Sequence, residues 1–469
     1  MEGPEQTLRS LHLTHEPSTR GGESNPVDDV KGLPRQIFGS VGLRILSAAM
    51  LFSVGVILAR WLGPEDLGVY SMILAAVGIA SLPVTAGLPI LLTRETARAY
   101  KSGQHGLLRG LWSFALGLVL TALLLAVVLL AIVEPLLLKN FTHVKFGYIA
   151  VGFLIVLLTG LDLLRSSAMQ GLGSGVWSQL PDALVRPAVF FTLLFAGTQL
   201  VIADRLAYGL WTYSLAAGLS FLFGMILLRR SIAGRVTLSR SEYRIRIWLK
   251  SLVSLGAFSG TQTVLGNAAV LMLGWLGSDR EVGLYKVALQ GLALMIIAQS
   301  GVSAILAARF SGSFADGDMH AVKRVSDHAL ALYVSGSVVF LIAFAIAGKP
   351  FVRLFFGDRY EGAVAILTIL AVGQFVNAIT GPAVDVLMMS GHVRPAVVSG
   401  IVGCIVLIGT ASTTIAMFGA PGMAMSAALG VAIANVLMAI AVSRAVGFDP
   451  TIFGASRRWL NRVRDGQPA

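Results

Sequence analysis

Long apolar runs separated by short polar turns fill most of this chain. A helix that crosses a bilayer needs about 20 predominantly apolar residues. Twelve runs of that kind occur, near 37–59, 69–91, 110–133, 147–166, 177–199, 206–228, 252–276, 284–308, 327–348, 362–389, 393–417 and 421–443. Each predicts a spanning helix. Pro83, Pro181, Pro187 and Pro382 fall inside these runs. They predict bends or breaks, which membrane helices tolerate where neighbours or water satisfy the freed carbonyls.

The turn between the first two runs, Ala59 to Tyr70, has a pattern that returns. Trp61-Leu62-Gly63 followed by Gly68-Val69-Tyr70 is echoed by Trp275-Leu276-Gly277 followed by Gly283-Leu284-Tyr285, with one more residue in the turn. Met169-Gln170-Gly171 is likewise echoed by Met389-Ser390-Gly391. The echoes lie 214 to 220 residues apart, which points to two related halves of six spans each. Six is even, so both halves enter from one side. The repeats are then parallel, related by an axis along the membrane normal.

Composition excludes a soluble protein. Of 469 residues, 55% are hydrophobic and 13% charged, against about 25% charged in soluble domains. Mean hydropathy is +0.79. A net charge of +12 would suggest nucleic acid in a soluble chain, but here it sets orientation and no nucleic-acid partner is expected. With the N-terminus in the cytosol and its tail left out of the count, the inner segments carry 21 basic residues and the outer loops 8, which favours two cytosolic termini. The expected organisation is a disordered cytosolic tail (1–36), a first lobe (37–228), a basic cytosolic linker (229–251), a second lobe (252–445) and a cytosolic tail (446–469). Cys404 is the single cysteine, so no intrachain disulfide forms, and the seven His residues have no metal-ligand spacing. Gly171 to Gly175 follows no strand, which rules out a dinucleotide site. No cofactor is expected. The outer loops are too short for an extracytoplasmic catalytic domain, so a transporter is expected rather than an enzyme.

Ionisable groups inside spans are costly and mark a cavity or a partner. Asp162 and Arg165 are three apart, and Asp182 and Arg186 four apart, spacings that suit local ion pairs as well as a site. Arg44, Lys286 and Asp385 have no opposite charge at those spacings and are the better cavity candidates. Snorkelling to the interface competes with that reading for Arg44 and Lys286. Gln262, Asn267 and Gln290 add neutral hydrogen-bonding groups, as do Gln299, Gln374, Asn377 and Asn435. Contacts between helices explain such residues as well as substrate does.

The stretch Ile57 to Tyr70, with Gly87-Leu88 and Thr93-Arg94-Glu95 after it, resembles the opening of bacterial polysaccharide (Wzx-type) flippases. Leu354-Phe355-Phe356-Gly357-Asp358-Arg359-Tyr360 resembles the turn before their tenth helix. The resemblance implies an all-α polytopic membrane protein of about twelve spans in two parallel six-helix lobes. That is the fold of the multidrug/oligosaccharidyl-lipid/polysaccharide (MOP, MATE-like) exporter superfamily. It implies alternating-access transport of a polyprenyl-diphosphate-linked oligosaccharide across the cytoplasmic (inner) membrane, for surface polysaccharide synthesis. Partners would be the lipid bilayer and the polymerase and glycosyltransferase proteins of the pathway. Arg44, Arg186, Lys286, Gln262, Asn267 and Gln290 would contact substrate. Asp385, Asp182 and Asp162 would serve coupling or charge balance.

Three alternatives differ in what they require. A cation-coupled multidrug antiporter would favour an acidic cavity, yet the unpaired charges in these spans are mostly basic, and the first span lacks the Asp such proteins often use. A membrane polymerase or glycosyltransferase would need a large outer loop. A peptidoglycan-precursor flippase has fourteen spans, and residues 446–469 are too polar for two more. A reporter active only outside the cytosol, fused after Gly447, is expected to stay silent; activity there would require an odd number of spans.

Overall fold

Proline and glycine positions decide where the spanning helices bend. In a computed structural model, which describes residues 46–140, 146–233 and 239–464, the described part of each of the twelve apolar runs falls on a helix or a broken helix. Arg44 and the 1–36 tail lie outside the described residues. The first half begins with α1 (Leu46–Leu62). α2 (Pro64–Ala80), α3 (Leu82–Thr85) and α4 (Leu88–Lys101) form one span bent by 54°. Pro83 and Pro89 remove backbone donors at the bend, and Gly87 takes a φ of 87° that only glycine adopts easily. α5 (His105–Asn140) and α6 (Phe146–Gly171) follow. The fifth span consists of α7 (Gly175–Leu180), a π-helical turn (Pro181–Val185) and α8 (Arg186–Thr198). α9 (Arg205–Ile232) closes the half, its first turn capped by Asp204.

The second half starts with α10 (Ile245–Leu276) and α11 (Asp279–Ala315). Ser278 and Glu281 form a reciprocal capping box at the start of α11, and Glu281 also accepts from the Ala420 N–H at 3.1 Å. α12 (Met319–Phe356) leads to the bent span of α13 (Ala363–Ile379) and α14 (Ala383–Met389), broken by 48° at Thr380-Gly381-Pro382. α15 (Val393–Phe418) and α16 (Ala420–Ala445) complete it. Among the described residues, seven helices are individually long and apolar enough to cross a membrane, and nine if each bent pair counts as one span. α1, α10 and α11 carry the other three runs. A further helix, α17 (Ile452–Arg464), forms in the polar segment after residue 445, where no span is expected. The described residues make one compact unit.

The duplicated turn is where the halves join. Gly68, one turn into α2, lies against the Asp279 carbonyl, and a Cβ there would stand 1.8 Å from that oxygen. Gly283, one turn into α11, lies against the Pro64 carbonyl, and its Cβ would stand 1.9 Å away. Each copy's glycine thus receives the first residue of the other copy's helix. Two helix starts approach this closely only without side chains between them. A latch sits at the same end. The buried Tyr360 hydroxyl donates to the Ala59 carbonyl at 2.7 Å. Arg60 donates through Nε to the Phe355 carbonyl at 2.7 Å and through its guanidinium to the Leu354 carbonyl. Those carbonyls are orphans of the last turn of α12, which a cation caps favourably. Phe52 packs its ring against Phe351, Phe355 and Phe356 at 5.4–6.2 Å between centroids. The two motifs that carried the resemblance, 295 residues apart, therefore meet.

Gly283→Ala is expected to force the α2 and α11 backbones apart. The cost of such overpacking is about 1–3 kcal/mol, visible as a lower unfolding temperature of the solubilised protein. Gly266→Ala, in α10 with open space at the Cβ position, serves as the control and should change nothing.

Candidate functional site

Breaking the fifth span creates room for charge. Pro181 and Pro187 lack backbone N–H groups, and the chain takes up the slack as a π turn in which the Arg186 N–H reaches the Pro181 carbonyl, five residues back. Asp182 lies within this turn and Arg186 follows it. They meet Asp162 and Arg165 of α6. Arg165 donates through Nε to Asp162 Oδ1 at 2.7 Å and reaches Asp182 Oδ2 at 3.2 Å. Its remaining nitrogen donates to the Ser178 carbonyl at 3.3 Å. Arg186 donates to Asp162 Oδ2 at 2.9 Å and stands 3.0 Å from Asp182 Oδ1. The four charges sum to zero. The sequence spacings pair Asp162 with Arg165 and Asp182 with Arg186, and the structure joins both pairs into one quartet across two spans.

The quartet is uneven. Arg165 and Asp162 are 2% and 3% exposed, and every Arg165 nitrogen has a partner. Arg165 fits because α9 presents Gly224, whose Cβ would lie 2.4 Å from Arg165 Nε. Arg186 and Asp182 are more open, with side chains 19% and 35% exposed. The contact between Arg186 Nη2 and Asp182 Oδ1 is within ion-pair distance without being a hydrogen bond, and Arg186 Nε and Asp182 Oδ1 are both buried without a hydrogen-bond partner. A buried polar atom left unpaired costs about 1–3 kcal/mol. Arg165 is therefore a structural cation, and Arg186 retains donor capacity.

Three other candidates lie where the halves face each other. Gln290 of α11 donates to the Phe52 carbonyl of α1 at 3.0 Å, directly over Gly55, where a Cβ would stand 1.7 Å from its amide. Asn267 of α10 bonds its own helix at Thr263 and packs on Gly78 of α2. Gln290 therefore bonds across the interface, whereas Asn267 bonds within its own helix and only packs across it. Lys286 sits on the same α11 stripe, three residues after Gly283 and four before Gln290, which is the spacing of one helix face. It is half-buried, and no acceptor among the described residues pairs with it. Gln262 is exposed.

Asp385 occupies the second half, one turn beyond the break before α14. It accepts from Ser303 Oγ of α11 at 2.7 Å and from the Tyr333 hydroxyl of α12 at 3.2 Å. No Lys or Arg pairs with it among the described residues. The polar chain continues: Ser337 donates to the Tyr333 carbonyl at 2.6 Å, Gln299 to Ser337 at 3.0 Å, and Gln374 to Gln299 at 2.7 Å. Sequence reading missed Ser303, Tyr333 and Ser337 because hydroxyls in spans carry no spacing signal. Arg165 had a signal, its place three residues after Asp162, but its bond to Asp182 is tertiary. Outside the spans, Lys349 and Arg353 hold the Glu361 carboxylate below the usual range. Among the described residues no cluster of His, Cys, Asp and Glu suits a metal ion.

Solved structures of similar fold cover most of the chain. A multidrug resistance MATE family transporter of the MOP superfamily, in an inward-facing conformation, is 14% identical over 86% of this chain and 94% of its own, with a TM-score of 0.72. A MOP superfamily transporter from Pyrococcus furiosus is 14% identical over 88% and 95%, with a TM-score of 0.60. The lipid II flippase MurJ, in an inward closed conformation, is 12% identical over 84% and 87%, with a TM-score of 0.61. At these identities the likeness establishes the fold, two parallel six-helix lobes of the MOP type. No curated protein matches by sequence. The family described as "Polysaccharide biosynthesis protein" matches residues 35–308, more than half of the chain, and bears out the resemblance read from Ile57 to Tyr70. The chain belongs to that polysaccharide biosynthesis family.

Proposed function

We propose that this protein is a flippase, not an enzyme, that moves a polyprenyl-diphosphate-linked oligosaccharide across the cytoplasmic membrane. The observation that carries the proposal is Lys286, a cation inside a span, without an acceptor among the described residues, on the α11 face turned to the other half. An unpaired charge so placed is costly unless a ligand answers it. A diphosphate must shed hydration to enter a low-dielectric passage, and fixed cations replace that hydration without reorganising. Arg186 adds a planar donor fork suited to phosphate oxygens, with Nε unused in the resting arrangement. Asp162 and Asp182 balance the two arginines while substrate is absent. The halves rock about the Gly68–Gly283 crossing to expose the headgroup to one side at a time. Family membership and the likeness to transporters and a flippase support this reading. Polymerase and glycosyltransferase proteins of the pathway would deliver and consume the substrate.

Arg186→Ala and Lys286→Ala are expected to cut surface polysaccharide while membrane abundance stays normal. A lost charge-assisted hydrogen bond of about 1.5–3 kcal/mol corresponds to roughly a tenfold or greater loss. Arg186→Lys should recover part of it, keeping the charge and losing the fork. Normal export by both alanine variants would remove the cationic passage from the mechanism.

Asp385 supplies the coupling element in this proposal. Its hydroxyl-lined site, with no paired cation, suits exchange of a proton or small cation as the halves move. Asp385→Asn should abolish gradient-driven transport in proteoliposomes yet leave binding of the lipid-linked glycan intact. If instead the variant loses drug efflux and keeps glycan export, the multidrug antiporter reading replaces this one.

A further inference from the structure

The last helix carries an amphipathic surface that the transport reading does not use. α17 follows α16 by a short turn and is held to the bundle through its polar side. Arg458 donates through Nε to both carboxylate oxygens of Asp327 on α12, at 3.2 and 3.3 Å, and through Nη1 to the Asp449 carbonyl at 2.6 Å. Its guanidinium also lies 5.6 Å from the centre of the Phe448 ring. The preceding Pro450 carbonyl packs on Gly381, where a Cβ would stand 2.2 Å away. These contacts fix which way α17 faces. The face they leave open is apolar: Phe453, Trp459 and Leu460 are 70%, 54% and 58% exposed. A helix that meets its bundle through arginine and turns its aromatic residues outward is inverted for a water-soluble surface.

We infer that α17 lies in the bilayer interface and binds anionic phospholipid. Three observations choose lipid over a protein partner. The helix starts seven residues after the last spanning helix ends, so it sits at the level of the membrane surface. Exposed apolar side chains on the spanning helices, such as Ile346 and Val339 of α12, face lipid, and the open face of α17 extends that kind of surface. Arg457 and Arg464, seven residues apart, border the apolar face along one edge, and Arg324 and Arg444 are exposed at the same end of the bundle. Apolar residues flanked by arginines, with tryptophan among them, match the depth profile of an interface: acyl chains below, anionic phosphate beside, water above.

Site-directed spin labelling of the full-length protein in bilayers tests this. Cys404→Ala removes the native thiol. Ser456→Cys then places the label at the centre of the open face, since Ser456 is exposed and lies between Phe453 and Leu460. Ser335→Cys, exposed near the middle of α12, gives the lipid reference, and Gln104→Cys, exposed in a turn at the α17 end of the bundle, gives the aqueous reference. Each label is probed with oxygen, which favours lipid, and with a water-soluble nickel chelate. In bilayers containing phosphatidylglycerol, Ser456→Cys should shift toward the Ser335→Cys value. In pure phosphatidylcholine, or after Arg457→Gln with Arg464→Gln, it should move back toward the aqueous value. A label that reads as aqueous in both lipids overturns the inference. So does one shielded from both reagents, which would mean that a protein, such as a second copy, covers the face. Leu460→Ser is the independent check, because Leu460 is 58% exposed: it should release the label to water with the bundle intact.

Discussion

Two helices can start against each other only where neither presents a side chain. At the crossing of α2 and α11, Gly68 takes the Asp279 carbonyl and Gly283 takes the Pro64 carbonyl. Everything else at that end is arranged around this contact. It sets α1 beside α11, so that Gln290 lies over Gly55. It also brings the end of α12 within reach of Arg60 and Tyr360 within reach of Ala59. The crossing is reciprocal because the turn is duplicated. The contact pairs equivalent glycines of the two copies, each against the first carbonyl of the other copy's helix. The bonds of the latch are directional, and most use carbonyls freed at the end of a helix.

Charge within the spans is treated in three distinct ways. Arg165 is buried and saturated, and removing a partner from such a group leaves an uncompensated charge, a cost of about 3–5 kcal/mol. Lys286 has no acceptor among the described residues and faces the other half. Asp385 is held by hydroxyls, which stabilise a carboxylate without cancelling its charge. The difference follows from backbone geometry. The π turn at Pro181–Val185 brings Asp182 toward α6, where one more carboxylate is needed to balance two arginines. Among the described residues, no equivalent turn supplies a carboxylate to Lys286. The break before α14 places Asp385 beside the Ser303 and Tyr333 hydroxyls.

The sequence determined by itself whatever depends on local pattern. Apolar runs located the spans, because a bilayer demands about 20 apolar residues from any chain that crosses it. Pro83, Pro181, Pro187 and Pro382 marked the breaks, because a missing N–H has the same local effect in any fold. The duplicated Trp-Leu-Gly and Gly-x-Tyr turn announced two halves, and the i,i+3 and i,i+4 spacings found both ion pairs. Only the tertiary structure decided which charges meet across spans. Arg165 reaches Asp182, Gly224 makes room for it, and Ser303 and Tyr333 attend Asp385, all through contacts without a sequence signature. It also decided that Gln290 grips the backbone of α1 and that α17 turns its aromatic face outward. An isolated helix has no preferred direction for its side chains. Direction is conferred by the neighbours it packs against, and those neighbours lie tens to hundreds of residues away along the chain.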